Sequence, residues 1–491
     1  MEAKDYQVSD EQLKTFEQRG YNEDILPKTG KKRNMGIGNY STLWMGSVHN
    51  IPNYTAVGGF LFLGLSPLNV MLALVVSAFV VSFFMIMNGR AGSKYGIPFA
   101  MHLRSTYGDL GAKLPGFLRG GVAAIAWFGL QNFTGSLALV ILIGKIWPGF
   151  LEIGGDTKIL GIGIPGLIAF TIFWAINVLI GLGGGAILNK FTAILGPLIY
   201  IVFGAMAIWA FRVSGGIHAI LSFDVVGATS SVNPIFGYLI VINSVLATWA
   251  APGSSVSDFT QNAKSTRAQS IGQTLSLAIS YIVFAVFSVV ILIGGSIHFN
   301  IQEWNVLNII ERWDNTPAII ITMLVFLLTT ISTNATGNII PAAYQLTALF
   351  PKKVNYKKGI IIAGVISYII LPWKLMENSD SIFIFLNTIG AVLGPVAGVM
   401  IANFFFEKKQ QINLDELYMD DTATSKTNQY KGVNRPAYIA TLVGLVLSLC
   451  GQFIPALKAV SDISWLVGFG AAFILYLVLP KKNIFHMHYP R

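Results

Sequence analysis

Two residues four apart in a long apolar run, Trp127 and Gln131, are the first that suggest chemistry. At i and i+4 they fall on one face of a helix. An indole beside a carboxamide suits a flat, amide-rich heterocycle: the ring stacks, and the amide supplies donors and an acceptor. The same pair also fits plain helix packing, with Trp127 against a neighbour and Gln131 bonded to another helix. A second aromatic, Trp249, stands just before Pro252-Gly253, where a break in the helix would let it close the other face of a flat ligand. Thr329, Ser332 and Thr333 share a helical face. Their hydroxyls and a carbonyl, joined by carbonyls freed at another helix break, would form an oxygen cage able to hold sodium without a carboxylate. Hydroxyls in apolar helices also serve simply to bond helices together. Asn338, further along that run, is a candidate substrate-facing amide. His49 carries a ring that titrates near neutrality, yet no acid lies near it in sequence, so a hydrogen-bonded structural role is expected.

These residues must be held by membrane helices. Of 491 residues, 54% are hydrophobic and 11% charged, and the mean hydropathy is +0.63, whereas soluble proteins carry roughly 25% charged residues. Runs of about 20 apolar residues, enough to cross a ~30 Å hydrocarbon core, fall near 43–65, 67–88, 117–147, 159–183, 189–211, 235–257, 270–296, 316–340, 358–373, 379–405, 437–456 and 463–480. Twelve spans are therefore expected. The first contains Trp44-Met-Gly-Ser-Val-His-Asn-Ile-Pro-Asn-Tyr54, whose polar residues and proline predict a broken helix, because irregular backbone at bilayer depth persists only where protein or a wet cavity satisfies it. Basic residues concentrate in alternate connections, among them Lys31, Lys32, Arg33, Arg90, Lys94, Lys352, Lys353, Lys408 and Lys409. The excess of such residues marks the cytoplasmic side, so both termini are expected inside a plasma membrane. Residues 1–39 show no apolar core of a cleavable signal.

The net charge of +10 is spread over short loops, which orientation in a membrane already explains, and a nucleic-acid partner is excluded. Acids are nearly absent from the spans: Asp258 ends the sixth, and Glu377 and Asp380 stand at the mouth of the tenth, all three expected to reach water. With no HExxH, no paired intramembrane acids and no nucleophile elbow, hydrolytic or metal chemistry has no equipment, and the chain reads as no enzyme. The single cysteine, Cys450, can form no intrachain disulfide.

Proline landmarks recur. Pro52 and Pro252 lie 200 residues apart, and Pro197 and Pro395 lie 198 apart. Five spans separate each pair, so the second copy runs in the opposite sense, an inverted repeat with its ligand site at the paired interruptions. The semi-polar pieces 98–107 and 301–313 recur at a similar offset and read as short helices lying at the membrane surface or re-entering it. The expected organisation is a polar segment 1–39, a first repeat 40–212, an inverted second repeat 235–405, a polar connection 406–436, accessory spans 437–480 and a tail 481–491.

The stretches Trp44 to Gly59, Trp127-Phe-Gly-Leu-Gln131, Ser332-Thr-Asn334 with Asn338-Ile-Ile-Pro-Ala-Ala-Tyr344, and Leu393-Gly-Pro-Val-Ala-Gly398 together resemble the nucleobase-cation-symport family of type one. Val48 to Tyr54 and Pro372-Trp-Lys-Leu-Met-Glu377 look most like its bacterial allantoin permease branch. The resemblance implies an all-α, five-plus-five inverted-repeat fold like that of leucine-type transporters, with two added helices, working by alternating access. It implies import of a small neutral cyclic amide or ureide, allantoin first, with uracil, cytosine or a hydantoin as the alternative. Trp127 and Trp249 would sandwich the ring, and Gln131, Asn338 and Asn50 would bond its amide edge. The carbonyls of Gly46, His49 and Thr329 with the hydroxyls of Ser332 and Thr333 would hold sodium. Sodium or a proton is the implied coupling ion; no other cofactor and no obligate protein partner is expected.

Overall fold

Asn, Ser and Pro at the edges of the apolar runs decide where the helices begin. Spans two (Pro67–Tyr95), six (Pro234–Ser254), eight (Thr316–Leu349) and eleven (Arg435–Phe453) each start with a capping Ser66, Asn233, Asn315 or Asn434 followed within two residues by proline. The cap side chain takes a backbone N–H that would otherwise be orphaned, and proline there gives up an N–H the helix does not need. The other crossings are span three (Lys113–Ile146), four (Ile164–Gly183), five (Gly185–Val213), seven (Thr266–Phe299), nine (Tyr356–Ile369), ten (Ser379–Ile401, continuing through a π-helical turn Ala402–Glu407) and twelve (Ser464–Val478). The structure, a computed structural model, describes residues 6, 8–21, 23, 25–183, 185–225, 233–303, 305–350, 353–377, 379–419 and 428–480; the expected tail 481–491 lies outside them.

Span one is the broken one. It consists of two 12-residue helices, Ile37–Val48 and Ile51–Phe62, each too short to cross alone. Among the described residues nine helices are long and apolar enough to cross a membrane, or ten when the bent pair Pro455–Asp462 and Ser464–Val478 is taken as one. The expected twelve is reached by adding broken span one and the 14-residue span nine.

One sequence expectation needs correction. Span six is not broken at Pro252-Gly253: the helix runs through Pro252 to Ser254. Proline so near a helix end removes only one late hydrogen bond, and the hydroxyls of Ser254 and Ser255 bond back to the carbonyls of Ala250 (2.6 Å) and Ala251 (3.2 Å). The pieces 98–107 and 301–313 contain short helices, Phe99–Tyr107 and Val306–Glu311, most of whose residues are buried in the protein. Asp258 is half-buried, and its carboxylate accepts the Phe99 N–H at 2.8 Å.

One apolar cluster runs through spans one to eight and ten. Small residues bring the helices close, as is usual where lipid supplies no hydrophobic drive: a Cβ on Gly253 would lie 2.2 Å from Phe84, and one on Gly398 would lie 2.4 Å from the Phe469 carbonyl. The polar segments have a separate core in which Phe16 stacks on Tyr418 at 4.6 Å and Arg19 donates to the carbonyls of Asp415 and Tyr418, both at 3.1 Å.

Candidate functional site

The break in span one is held by two asparagines. Asn50 caps the second half-helix: its Oδ1 accepts the Asn53 N–H at 3.0 Å, and its Nδ2 reaches back to the Ser47 carbonyl at 2.7 Å. Asn53 returns the favour, Nδ2 donating to the Val48 carbonyl at 2.8 Å. Helix ends buried away from water need such partners. Two carbonyls are left over: Gly46 accepts only the Thr333 hydroxyl, at a long 3.4 Å, and His49 accepts none among the described residues. The His49 ring points the other way. It lies against Tyr54, Tyr200, Phe203, Phe284 and Phe287, with Nδ1 3.2 Å from the Tyr54 hydroxyl.

Beside the break lies a narrow cavity of about 40 Å³. Five residues nominated for substrate line it together, Asn50, Trp127, Gln131, Trp249 and Asn338, and so does Thr333 from the proposed cage. Span three supplies Trp127, whose ring takes the edge of Phe385 at 4.9 Å. The side-chain amide of Gln131, one turn on, makes no hydrogen bond to the described residues, and its Oε1 is buried. Span six supplies Trp249, its indole N–H bonded to the Tyr281 hydroxyl and its ring set edge to face with Trp44 at 5.2 Å. Asn338 sits in a π-helical turn, Ala335–Ile339, in span eight; such turns concentrate at functional sites.

The proposed ion ligands are only partly gathered. Thr333 faces Gly46 across the gap between spans one and eight. The Thr329 hydroxyl is occupied by the Phe326 carbonyl at 2.9 Å, which leaves the Thr329 carbonyl as its contribution, and the Ser332 hydroxyl makes no bond among the described residues.

Several cavity and near-cavity residues escaped the sequence reading. Trp44, Thr248 and Phe259 line the cavity; Trp44 stands in the very stretch that signalled the break. Arg119 is buried in span three, donating Nε to the Ser255 hydroxyl (3.1 Å) and Nη2 to the Gly337 carbonyl (3.0 Å). It joins three segments directly behind Asn338. The missed signal was a basic residue inside an apolar run, which is expensive in a membrane and therefore functional by default. Asp258 lies near enough for its charge to act on Arg119, and burial pushes the Asp258 carboxyl up to about 6 against the pull of the Phe99 N–H and of Arg119.

Comparison with known proteins bears on the fold and the family. The chain is 57% identical over 473 residues to an Escherichia coli (strain K12) protein that carries a provisional allantoin permease name, covering 96% of this chain and 97% of that one. It is 38% identical over 462 residues to the allantoin permease of Bacillus subtilis (strain 168), covering 94% and 93%. Among solved structures it matches Mhp1, a nucleobase-cation-symport-1 family transporter seen closed with bromovinylhydantoin bound, with TM-score 0.73 and 21% identity over 93% of this chain and 94% of that one. MhsT in complex with L-phenylalanine shares the fold more distantly, with TM-score 0.56 and 16% identity over 88% and 98%. These two likenesses establish a polytopic helical membrane-protein fold. The sequence profile of permeases for cytosine/purines, uracil, thiamine and allantoin matches residues 27–468, and the chain belongs to that family.

Proposed function

We propose that this chain is a secondary active importer of allantoin, working by alternating access in the plasma membrane with both termini cytoplasmic. The observation that carries the reading is the convergence of Trp127, Gln131, Trp249 and Asn338, from three different spans, on one cavity beside the span-one break. Aromatic faces and uncharged amides suit a flat, neutral ureide, and no charged side chain lines the cavity to favour an ionic one. The names of the relatives that are 57% and 38% identical support allantoin over other cargo of the family.

Trp127 and Trp249 hold the ring, and Gln131 and Asn338 pair with its amide edge. Asn50 acts chiefly as the brace of the break, with one amide hydrogen left for the ligand. Sodium is the proposed coupling ion. Its cage is the carbonyls of Gly46, His49 and Thr329 with the hydroxyls of Ser332 and Thr333, and the first half-helix of span one directs the negative end of its dipole there.

The test is uptake of labelled allantoin by energised cells, with sodium replaced by choline at two pH values and with uracil, cytosine and hydantoin as competitors. Saturable uptake, lost in Trp127→Ala and dependent on sodium at both pH values, is the expected result. Uptake that follows pH and ignores choline replacement assigns the proton as coupling ion, and stronger competition by a nucleobase or hydantoin than by allantoin overturns the cargo.

A further inference from the structure

Behind Asn338 lies a chain of buried amides whose polarity is set by the backbone. Asn338 Nδ2 donates to Asn334 Oδ1 at 2.9 Å. Asn334 Nδ2 in turn points at the Phe128 carbonyl (3.3 Å), Asn132 Oδ1 (3.2 Å) and Asn177 Oδ1 (3.5 Å). A carboxamide can usually be turned over without visible consequence, and only its partners decide which end is nitrogen. Here they do decide. A backbone carbonyl only accepts, so the nitrogen of Asn334 must face Phe128. Asn177 is fixed in the same way by donating to the Phe173 carbonyl at 2.9 Å, which turns its oxygen toward Asn334. The Asn334 oxygen therefore faces Asn338 and takes the nitrogen of that amide, and the Asn338 oxygen is left on the opposite edge.

Gln131 is the contrast. It lines the same cavity, yet neither end of its amide is bonded to the described residues, so nothing in the protein sets its polarity.

We propose that Asn334 is a positioning residue for the cavity: it locks the Asn338 amide with its oxygen toward the ligand, so that the site demands a ligand N–H at Asn338 and tolerates either polarity at Gln131. This rests on the functional reading above. A locked amide with an oxygen and its second N–H together pairs with an adjacent N–H and C=O of a ring ureide. A ligand methylated at that nitrogen leaves the buried oxygen unpaired, the situation in which sites of this kind discriminate most strongly. Without Asn334 the Asn338 amide can turn over, and the methylated ligand is no longer penalised.

The experiment uses the full chain in cells and measures uptake of labelled allantoin competed by allantoin and by ring-N-methylated allantoins. Asn334→Ala is expected to raise KM about tenfold with the maximal rate within about twofold, and to shrink the discrimination against the methylated competitor about tenfold, the pattern of lost ligand binding and not of lost fold. In an Asn338→Ala background the same substitution is expected to cost no further discrimination, since neighbours that act through one contact are not additive. Equal loss in both backgrounds, or a fall in maximal rate with discrimination unchanged, overturns the proposal. Asn334→Asp still offers an oxygen to Asn338 Nδ2; the parent's discrimination is expected there, and its loss overturns the proposal even if Asn334→Ala does not fold. Absence of allantoin uptake by the unaltered chain would instead overturn the functional reading, before any variant is compared.

Discussion

Asn50→Ala separates two jobs that one residue can have beside a ligand cavity. In the structure its carboxamide is spent on the chain: Oδ1 caps the second half-helix through Asn53, and Nδ2 satisfies the Ser47 carbonyl. Losing an N-cap costs about 1 kcal/mol, and a buried carbonyl left without its donor costs about 1–3 kcal/mol. Truncation should therefore destabilise the fold by about 2–4 kcal/mol. With an unfolding entropy of ~2.1 cal/mol/K per residue, a chain of this length should melt about 2–4 °C lower. Asn50→Ser restores a cap but not the Ser47 donor, and should recover about 1 kcal/mol of the loss. The assay is thermal melting of the purified protein in detergent, followed by fluorescence-detected size exclusion, beside uptake kinetics in cells. If Asn50 served the ligand alone, the alanine variant would melt with the parent while its KM rose. That result would refute the brace.

Three further outcomes follow from the same geometry. Ser332→Ala combined with Thr333→Ala removes two of the five proposed cage oxygens and should raise the sodium concentration needed for half-maximal uptake at least tenfold while leaving allantoin affinity at saturating sodium within a few-fold; a sodium titration of uptake measures both. Arg119→Lys should fail to restore what Arg119→Met loses in uptake, because one ammonium cannot match a planar fork that reaches the Ser255 hydroxyl and the Gly337 carbonyl together; full activity of the lysine variant would show that only charge matters there. Asp258→Asn keeps an oxygen for the Phe99 N–H and removes a carboxyl that burial raises from 3.8 to about 6. A raised carboxyl pKa means that the folded chain holds the proton more tightly than the unfolded one, so this group's contribution falls as pH rises from about 4 to about 6. The variant should accordingly match the parent near pH 4 and melt higher above pH 6. A constant offset across that window would contradict the assignment.

How much of this was legible beforehand depended on the kind of signal. Long apolar runs and capping residues before proline, as at Ser66-Pro67 and Asn233-Pro234, are local, and the helices follow them. The span-one break was also legible, since His49, Asn50 and Pro52 in an apolar run have no other cheap explanation. Pro252 misled because a proline reports a missing N–H and not its consequence: deep in a helix it breaks a turn, but within three residues of the end it costs one hydrogen bond and the helix runs on to Ser254. The asparagines 132, 177 and 334 were out of reach for a different reason. Each looks unremarkable in its own span, and meaning appears only when spans three, four and eight bring their amides within hydrogen-bonding distance.

The cavity and the proposed ion cage meet at Thr333, and the backbone of span eight explains how. Thr333 and Asn338 are five residues apart, which in an α-helix puts them roughly 140° around the axis from each other. They nonetheless line the same cavity, and the turn Ala335–Ile339 is π-helical, whose wider i→i+5 turn brings Asn338 closer to the face of Thr333 than an α-helix would. The Thr333 hydroxyl also reaches the Gly46 carbonyl on the far side of the span-one break. One hydroxyl thus stands between the carbonyls proposed for sodium and the amide proposed for the ureide, and a single rigid helix carries both. An ion that draws Thr333 toward Gly46 necessarily sets the wall against which the ligand binds. If sodium binds as proposed, its binding and the ligand's are coupled through one side chain, with no charged side chain among the described residues that line the cavity.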